Sequence, residues 1–419
     1  MIKQDLNLFL FQIIKKKNLV FFLIFLLINN CSFDNKTGIW SGDKEEKKRI
    51  SDLEKEQRKV IDVRKIYSSD DAHSIEISLD QNINLSEPQK NLSWKMSSLN
   101  YQNFLGNIYL SGIDNIFLKK KIGKNKFSEL KVLASPIIYE NNIIFTDNNG
   151  TIFNIDNTGN INWKKNIYKK IYKKIYKNLN FSFYKNNIYI SDNIGFIYAI
   201  SLNSGELIWI KNHGVPLKSN IKVFDNKIFL VNQDNRILCL SAKNGSKIWD
   251  VRSTSSFIKS QNFLSLGVSK KGDVIIIDSS GELIKVNGNN GKIYWSLNTL
   301  NSILADATDF FKSSEIVIAN SDIIFSTKSS FFSFNLDDGF MNWEQSLSTV
   351  GTPIVNGKNI FSVTENGYFV IMNRETGKII SSNNILKILK KKHRETKVSG
   401  FIMGSDKIYS ITYNGYLIV

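Results

Sequence analysis

A repeated spacing between glycine and tryptophan constrains the fold of this chain more than any other feature of its sequence. Five tryptophans each stand four residues after a glycine, and successive tryptophans are 46, 40, 46 and 48 residues apart. The pairs are Gly159–Trp163, Gly205–Trp209, Gly245–Trp249, Gly291–Trp295 and Gly339–Trp343. A sixth copy keeps Gly377 but has Ser381 at the tryptophan position. Self-similarity at a period of about 40–50 residues predicts a repeat architecture.

Each repeat has the pattern strand, tight turn, strand, glycine turn, strand. An apolar run such as NIIFTD or NIYISD precedes the tight turn, and a run such as TIFNID or FIYAIS follows it. The tight turns contain residues that tolerate a positive φ, such as Gly150, Gly195 and Asn235. On the last strand, one face is apolar except at Lys247 and Ser381. One sheet alone cannot cover such a face, so we predict an all-β propeller of four-stranded antiparallel blades.

The number of hairpins predicts eight blades. Hairpin patterns occur at 107–118, 142–155, 187–201, 227–240, 273–286, 322–335, 359–372 and 407–418. The last pattern lacks a tryptophan strand, and Trp94 stands alone upstream, so we expect Trp94 to complete the eighth blade. Residues 126–133 are expected to form the outer strand of the first blade. The repeated tryptophans are then expected to pack between neighbouring blades rather than to form a ligand cage.

The N-terminus has the pattern of an export signal. Lysines at 15–17 precede a ten-residue apolar run, which is too short to span a bilayer comfortably. Cys31 follows at the position of the acylated cysteine in a lipoprotein signal, although Asn30 replaces the usual small residue. An uncleaved anchor that also uses residues 6–14 is the alternative. We expect residues 1–30 to be a signal peptide and Cys31 to carry the lipid.

A polar, lipid-anchored spacer is expected at 31–91, and the propeller at 92–419. Residues 43–66 are dense in charges of both signs, and residues 67–91 are polar, so neither stretch can fold alone. The formal net charge of the chain is +17, and its basic residues are scattered over many loops. A basic face for acidic partners or anionic lipid is the alternative, and no nucleic-acid partner is indicated.

The sequence contains no recognisable catalytic or metal-binding pattern. Its two cysteines, Cys31 and Cys239, and its three histidines form no CxxC motif, zinc knuckle or ligand set. Cys239 lies in the apolar run RILCL, where we expect a small core side chain. Paired carboxylates, a nucleophile elbow and a glycine-rich phosphate loop are also missing from the sequence. We therefore expect no enzymatic activity, no cofactor and no metal.

The repeat resembles that of the quinoprotein propellers. The segments NTGNINW (157–163), LNSGELIW (202–209) and RETGKII (374–380) are similar to the repeat D-x-x-T-G-K-x-x-W. Two families share this repeat: the pyrroloquinoline-quinone (PQQ) dehydrogenases and BamB, a family of outer-membrane assembly lipoproteins. The dehydrogenases are larger and use adjacent cysteines and calcium ligands that this chain lacks. The signal, lipid cysteine, spacer and eight predicted blades resemble BamB more, although the repeat marks the fold better than the function.

Resemblance to BamB implies a non-catalytic scaffold at the periplasmic face of the outer membrane, held there by its lipid anchor. In that family, loops on one propeller face bind the periplasmic part of the barrel-forming subunit, BamA, through a Leu–Arg segment and an acidic loop. The best matches in this sequence are Ile258 and Lys259 for the first and Asp306 for the second. Lys259 lacks the planar fork of arginine. A PQQ-dependent oxidoreductase and a generic ligand-binding envelope propeller are the alternatives.

One insertion departs from this family pattern. Residues 166–177, NIYKKIYKKIYK, lengthen the connection after the first repeated tryptophan. The favoured interpretation is a long edge strand whose lysines prevent aggregation. A basic aromatic platform for lipid or a partner is the alternative, and the sequence alone leaves both open.

Overall fold

The computed structural model of the chain describes residues 32–33, 40–41, 48, 75–91, 93–111, 116–124, 132–169, 171–172, 175–253, 259–299 and 312–419. The chain divides into two compact units, Met1–Asp70 and Asp71–Val419. In the first unit, β1 (Ser32–Phe33) pairs antiparallel with β2 (Trp40–Ser41). Within the described residues, no helix is long and apolar enough to cross a membrane. The predicted signal peptide and Cys31 lie outside these residues, so their assignment stays a prediction.

The second unit contains, in its described residues, seven sheets that follow one another along the chain. Sheet 1 consists of β3 (Ser93–Trp94), β5 (Ile137–Tyr139), β6 (Asn142–Thr146), β7 (Ile152–Ile155) and β8 (Ile161–Lys165). Sheet 2 consists of β4 (Val132–Ala134), β9 (Lys177–Tyr184), β10 (Asn187–Asp192), β11 (Phe196–Ser201) and β12 (Leu207–Asn212). Sheet 3 consists of β13 (Lys222–Phe224), β14 (Lys227–Val231), β15 (Arg236–Ser241) and β16 (Lys247–Arg252).

In each of the remaining four sheets, strands that are consecutive in sequence pair antiparallel. Sheet 4 consists of β17 (Leu266–Val268), β18 (Val274–Ile277), β19 (Glu282–Val286) and β20 (Ile293–Asn298). Sheet 5 consists of β21 (Val317–Ala319), β22 (Asp322–Ser326), β23 (Phe331–Asn335) and β24 (Met341–Gln345). Sheet 6 consists of β25 (Val350–Asn356), β26 (Asn359–Val363), β27 (Tyr368–Asn373) and β28 (Ile379–Asn384). Sheet 7 consists of β29 (Val398–Gly404), β30 (Lys407–Thr412) and β31 (Leu417–Ile418).

The tight turn between the second and third strand of each repeat has the chemistry expected from the sequence. In sheet 2, Asp192 Oδ1 accepts hydrogen bonds of 2.9 Å from the N–H groups of Ile194, Gly195 and Phe196. Gly195 has a φ of +105°, and Asn235 at the matching position of sheet 3 has a φ of +56°, a region that Asn tolerates better than most residues. The same capping role belongs to Asp147, Asn232 and Asp278.

The repeated tryptophans pack against the glycine of the next repeat. Trp163 of sheet 1 lies over Gly205 of sheet 2, where an added Cβ would stand 2.6 Å from the indole. The Trp163 Nε1 donates to the carbonyl oxygen of Leu202 at 2.6 Å. The prediction that these tryptophans pack between blades is therefore confirmed. The same arrangement joins Trp209 to Gly245, Trp249 to Gly291, Trp295 to Gly339 and Trp343 to Gly377.

The apolar core lies between consecutive sheets. From sheet 1 to sheet 7, each neighbouring pair of sheets shares a buried apolar cluster. Cys239 is fully buried between sheets 3 and 4, and burial raises the pKa of its thiol to about 12. Its predicted role as a core side chain is confirmed. On the other side of sheet 1, Phe153 and Ile155 pack against Leu118 and Ile122 rather than against another sheet.

The predicted hairpin at 107–118 is wrong. In the described part of this stretch, Ile108 forms isolated parallel bridges with Gln89 and with Gly404 of sheet 7, and no strand is present. Its apolar pattern suggested a hairpin, but its backbone finds partners in segments that are distant in sequence. The described residues contain seven sheets, so the predicted count of eight blades is not confirmed.

Two further strand assignments are wrong because pairing depends on distant segments. Trp94 pairs with Ile138 of sheet 1 instead of completing sheet 7, which has three strands in the described residues. The described end of the segment 126–133 belongs to β4, which runs parallel to β9 of sheet 2 and does not form the outer strand of the first blade. Short strands of this kind have no local pattern that fixes their partner.

The described residues of the predicted spacer contact the sheets directly. Ile77 N donates to Ser382 O at 2.8 Å, and Ser382 N donates to Ile77 O at 3.0 Å, beside β28. Ser86 N donates to Asn356 Oδ1 at 2.8 Å. Two apolar side chains of the same stretch pack into the cluster between sheets 6 and 7. Residues 75–91 therefore lie along the sheets, and the domain boundary drawn from the sequence stays a prediction.

Candidate partner-binding face

The tight turns and the connections between sheets lie side by side. After the last strand of a sheet, the chain returns to the tight turn of that sheet and donates a hydrogen bond to it. His213 N donates to Gly195 O at 2.9 Å, and Thr299 N donates to Gly281 O at 2.9 Å. Asn235 Nδ2 donates to Ser279 Oγ at 2.8 Å, which joins the tight turns of sheets 3 and 4. We call these tight turns and connections the turn face.

Lys259 is the one predicted partner-binding residue that the structure describes. Its Nζ lies 3.9 Å from Asp234 Oδ1 in the tight turn of sheet 3, and its side chain is 70% exposed. The neighbouring Ser260 N donates to Gln233 O of the same turn at 2.8 Å. Lys259 therefore lies on the turn face. Ile258 and Asp306 lie outside the described residues, so the structure does not test whether the three side chains come together.

The lysine-rich insertion begins with a buried anchor. Tyr168 OH donates to Asp192 Oδ2 at 2.7 Å, and Lys177 Nζ lies 4.9 Å from the centre of the Tyr168 ring. Burial raises the pKa of both Tyr168 and Asp192. Ile171 and Ile175 are exposed, at 74% and 45%. Part of the insertion thus belongs to the core, and part presents apolar side chains on the turn face.

The edge-strand interpretation of this insertion is wrong. Its described residues contain one short helical turn at 171–172, and none of residues 166–169 and 175–176 belongs to a strand. The lysine and tyrosine spacing gave no indication of which tyrosine would be buried. Tyr168 is buried in the cluster between sheets 1 and 2 and bonds to Asp192, whereas Tyr176 is 39% exposed.

A single segment, residues 93–108, contacts the first strand or the adjoining core of every sheet in turn. We call it the crossing segment, and no pattern in the sequence predicted it. Phe183 N of sheet 2 donates to Lys95 O at 2.6 Å, and Ile318 N of sheet 5 donates to Gln102 O at 2.9 Å. The other contacts are Trp94 with sheet 1, Ser97 and Asn100 with sheet 3, Tyr101 with sheet 4, Leu105 with the core of sheet 6 and Ile108 with sheet 7.

A buried polar cluster fixes the crossing segment to sheets 3, 4 and 5. Lys222 Nζ donates to Ser97 O and Asn100 O, both at 3.0 Å, and to Asn103 Oδ1. Glu315 accepts hydrogen bonds from Ser265 Oγ and from Asn220 Nδ2. Burial lowers the pKa of Lys222 to about 8, and burial raises the pKa of Glu315. A lysine within the apolar run IKVF was the one sequence signal for this cluster.

The same residues explain how the crossing segment is held. Asn103 Nδ2 donates to Leu266 O at 3.0 Å and to Ile316 O at 2.8 Å, so one amide joins sheets 4 and 5. Every member of the cluster that we name is hydrogen-bonded within the protein, so the cluster acts as a structural pin. Among the described residues, no group of three or more His, Cys, Asp or Glu side chains could hold a metal ion.

Repeated four-stranded sheets that stack through Trp–Gly contacts define a β-propeller with PQQ-type repeats. The chain belongs to the family described as outer membrane protein assembly factor BamB, whose family model matches residues 148–383. BamB of Moranella endobia (strain PCIT) is 21% identical over 222 residues, which are 47% of this chain and 55% of that protein. BamB of Yersinia pestis is 20% identical over 256 residues, which are 55% of this chain and 60% of that protein.

The chain therefore spans little more than half the length of these two relatives. Among solved structures, the crystal structure of BamB from Moraxella catarrhalis is similar with a TM-score of 0.50 and 17% sequence identity. The similarity covers 69% of this chain and 83% of that one. At this level of identity, the match supports the propeller fold and carries no residue roles.

Proposed function

We propose that this chain is a non-catalytic scaffold of the outer-membrane β-barrel assembly machinery, held by a lipid on Cys31 at the periplasmic face of the outer membrane. Family membership carries this proposal, because the family model and the two relatives above are described as outer membrane protein assembly factors. The lipid anchor rests on the sequence pattern alone.

The proposed partner is the periplasmic part of a BamA-like barrel-forming subunit. The turn face supports this role because it contains the connections between sheets and exposes Lys259. Ile258, between sheets 3 and 4 along the chain, and Asp306, between sheets 4 and 5, are proposed to complete the contact. Loops on a rigid scaffold are the usual place for binding residues.

The non-catalytic role is supported by the crossing segment. Backbone groups of sheets 2, 4 and 5 and the side chain of Lys222 in sheet 3 are bonded to this segment. A ligand at the first strands of these sheets would have to displace these hydrogen bonds. The competing PQQ-dependent oxidoreductase is tested by adding PQQ and calcium to the purified protein, where dye-coupled oxidation of an alcohol or sugar would support the enzyme instead.

Affinity purification from detergent-solubilised membranes tests the partner. The full chain is expected to recover the barrel-forming subunit, and Lys259→Glu is expected to lower the recovery. Lys243→Glu is the matched control, because Lys243 is exposed at the opposite end of sheet 3 and the change in net charge is the same. Repeated absence of the subunit from the wild-type eluate would overturn the scaffold role.

The lipid anchor is tested separately with a fatty-acid probe. The Cys31→Ser variant is expected to lose the label that the wild-type chain acquires in cells. Retention of the label would show that Cys31 is not the acylated residue.

A further inference from the structure

A small polar cavity lies beside the connection between sheets 6 and 7. This connection contains two short 3-10 helices, Ile385–Ile388 and Lys391–His393. The cavity has a volume of about 250 Å³. It is lined by Asn366, Asn384, Leu386, Lys387, Arg394 and Thr396. Two cationic side chains therefore meet one small cavity on the turn face.

The Arg394 guanidinium is held in place by the backbone of its own connection. Its Nε donates to Leu389 O at 2.9 Å, and its Nη2 donates to Lys387 O at 3.0 Å. A guanidinium has five N–H groups, so these two bonds orient the group and leave other donors for a ligand. An oriented guanidinium suits recognition of a carboxylate or phosphate.

Thr396 adds a donor that the protein itself does not use. The residue is 9% exposed, and its Oγ1 has no hydrogen-bond partner among the described residues. A buried hydroxyl without a partner is costly, because it has lost its bonds to water. This oxygen has almost no accessible surface, so an oxyanion in the cavity accepts a hydrogen bond from it once the Thr396 side chain changes rotamer.

The chain already places one carboxylate at the rim of the cavity. Glu76 Oε2 lies 2.5 Å from Lys387 Nζ, and Glu76 Oε1 accepts a hydrogen bond of 3.2 Å from Asn384 N. Glu76 stands in an extended segment whose next residue, Ile77, pairs with Ser382. An extended peptide with a glutamate side chain is thus compatible with this surface. Glu365, which is adjacent to the lining residue Asn366, is paired with Lys397 at 3.2 Å.

We propose that this cavity, which we call the Arg394 cavity, binds a carboxylate side chain of an acidic peptide segment from a partner protein. Arg394 and Lys387 supply the positive charge, and Thr396 Oγ1 donates a hydrogen bond. The site does not depend on the identity of the assembly partner proposed above. It is distinct from the contact that involves Lys259, which lies beside sheet 3.

Binding of a fluorescein-labelled hexaglutamate peptide to the full chain tests this proposal, with a hexaglutamine peptide as the uncharged comparison. Arg394→Gln is expected to weaken glutamate-peptide binding about tenfold, because a charge-assisted hydrogen bond is lost. Lys378→Gln is the matched control: it makes the same change in net charge at an exposed position of the glycine turn of sheet 6. Equal affinity of these two variants would show that only the overall charge of +17 attracts the peptide.

Two further variants keep the Arg394 guanidinium. They distinguish a role of the cavity in binding from a role in folding. Thr396→Val removes the hydroxyl without a change in charge and is expected to weaken binding about fivefold, whereas Thr376→Val, in an exposed turn, is expected to leave it unchanged. Glu76→Gln releases Lys387 and is expected to tighten binding severalfold. If neither Thr396→Val nor Glu76→Gln changes the affinity, the proposal is wrong.

Competition experiments identify the source of the anion. We expect millimolar inorganic phosphate to displace the peptide only weakly, and vesicles of pure phosphatidylglycerol to bind the wild-type chain and Arg394→Gln equally. Selective loss of vesicle binding in Arg394→Gln, with no effect on the peptide, would assign the cavity to lipid headgroups and overturn the proposal.

Discussion

At the residue scale, contacts between neighbouring repeats depend on glycines whose hydrogen is the only atom that fits. Gly205 has a φ of +69°, and an added Cβ would stand 2.6 Å from Trp163. Gly214 has the same φ of +69°, but nothing lies within 4 Å of the position of its missing Cβ. The pair separates two effects, backbone strain and steric contact, that usually occur together.

Gly205→Ala is expected to destabilise the protein more than Gly214→Ala. The second substitution costs about 1–2 kcal/mol for the left-handed backbone alone, and the first adds the displacement of a buried indole, for a total of about 3 kcal/mol or more. Chemical denaturation of both variants measures the difference. Equal loss of stability would mean that the indole moves aside without cost.

The buried Lys222 makes stability depend on pH in a defined window. Its pKa is lowered from 10.5 to about 8 in the folded protein, so between these values the unfolded chain holds more protons than the folded one. The free energy of unfolding then rises with pH across this window. Lys222→Met is expected to lack this rise, and to lose about 3 kcal/mol at pH 7 because Glu315 is left without its counter-charge.

The measurement is the difference in free energy of unfolding between wild type and Lys222→Met. Burial raises the pKa of Tyr189 and Tyr198, so these groups lower stability at high pH in both proteins and cancel in the difference. Lys243→Met is the control, because this lysine is exposed in the same sheet. A difference that stays flat from pH 8 to 10.5 would contradict the assigned cause.

At the element scale, the crossing segment adds hydrogen bonds that join several sheets, beside the apolar contacts between neighbouring sheets. Asn103 illustrates this, since its amide contacts sheets 3, 4 and 5 through Lys222, Leu266 and Ile316. Its φ of +55° is positive. A substitution that removes the amide must therefore be able to adopt the same backbone conformation. Glycine is the suitable replacement because it adopts this conformation freely.

Asn103→Gly is expected to lower the free energy of unfolding by about 3 kcal/mol, because it leaves two buried carbonyl groups and Lys222 with fewer partners. We also expect faster hydrogen exchange at the amides of Val268 and Ile318, which donate to the crossing segment. Asn157→Ala, at an exposed glycine turn, is the comparison. Unchanged exchange at these amides would show that the segment is not a structural tie.

At the scale of the whole molecule, the net charge of +17 favours acidic partners and steers their approach. Several cations lie in connections on the turn face, including Lys259, Lys387 and Arg394, whereas Asp192 and Asp278 are buried in tight turns. Burial thus removes the carboxylates of Asp192 and Asp278 from the exposed charge of this face.

Recovery of the proposed barrel-forming partner is expected to fall as salt is raised. Increasing the ionic strength from about 0.1 M to about 1 M shortens the screening length from about 10 Å to about 3 Å. Exposed charges such as Lys259 then contribute little. The check is co-purification across a salt series, and recovery that is independent of salt would indicate an apolar contact instead.

The sequence by itself determined the repeat, and with it most of the fold. Turn chemistry and strand alternation are local properties of the sequence. The sequence therefore predicted the tight turn at Asp192 and Gly195, and it predicted the glycine turn that precedes each tryptophan. The resemblance of the repeat also indicated the BamB family, whose family model matches residues 148–383. Seven of the eight predicted hairpins are present for this reason.

Only the tertiary structure decided where the non-repeating segments lie. Trp94, Ile108 and Ile77 form backbone pairs with residues 44 to 305 positions away, Ile138, Gly404 and Ser382. Nothing within a few residues of them selects those partners. The crossing segment and the Arg394 cavity were hidden for the same physical reason: each forms from backbone and side-chain groups that meet only after the sheets have stacked.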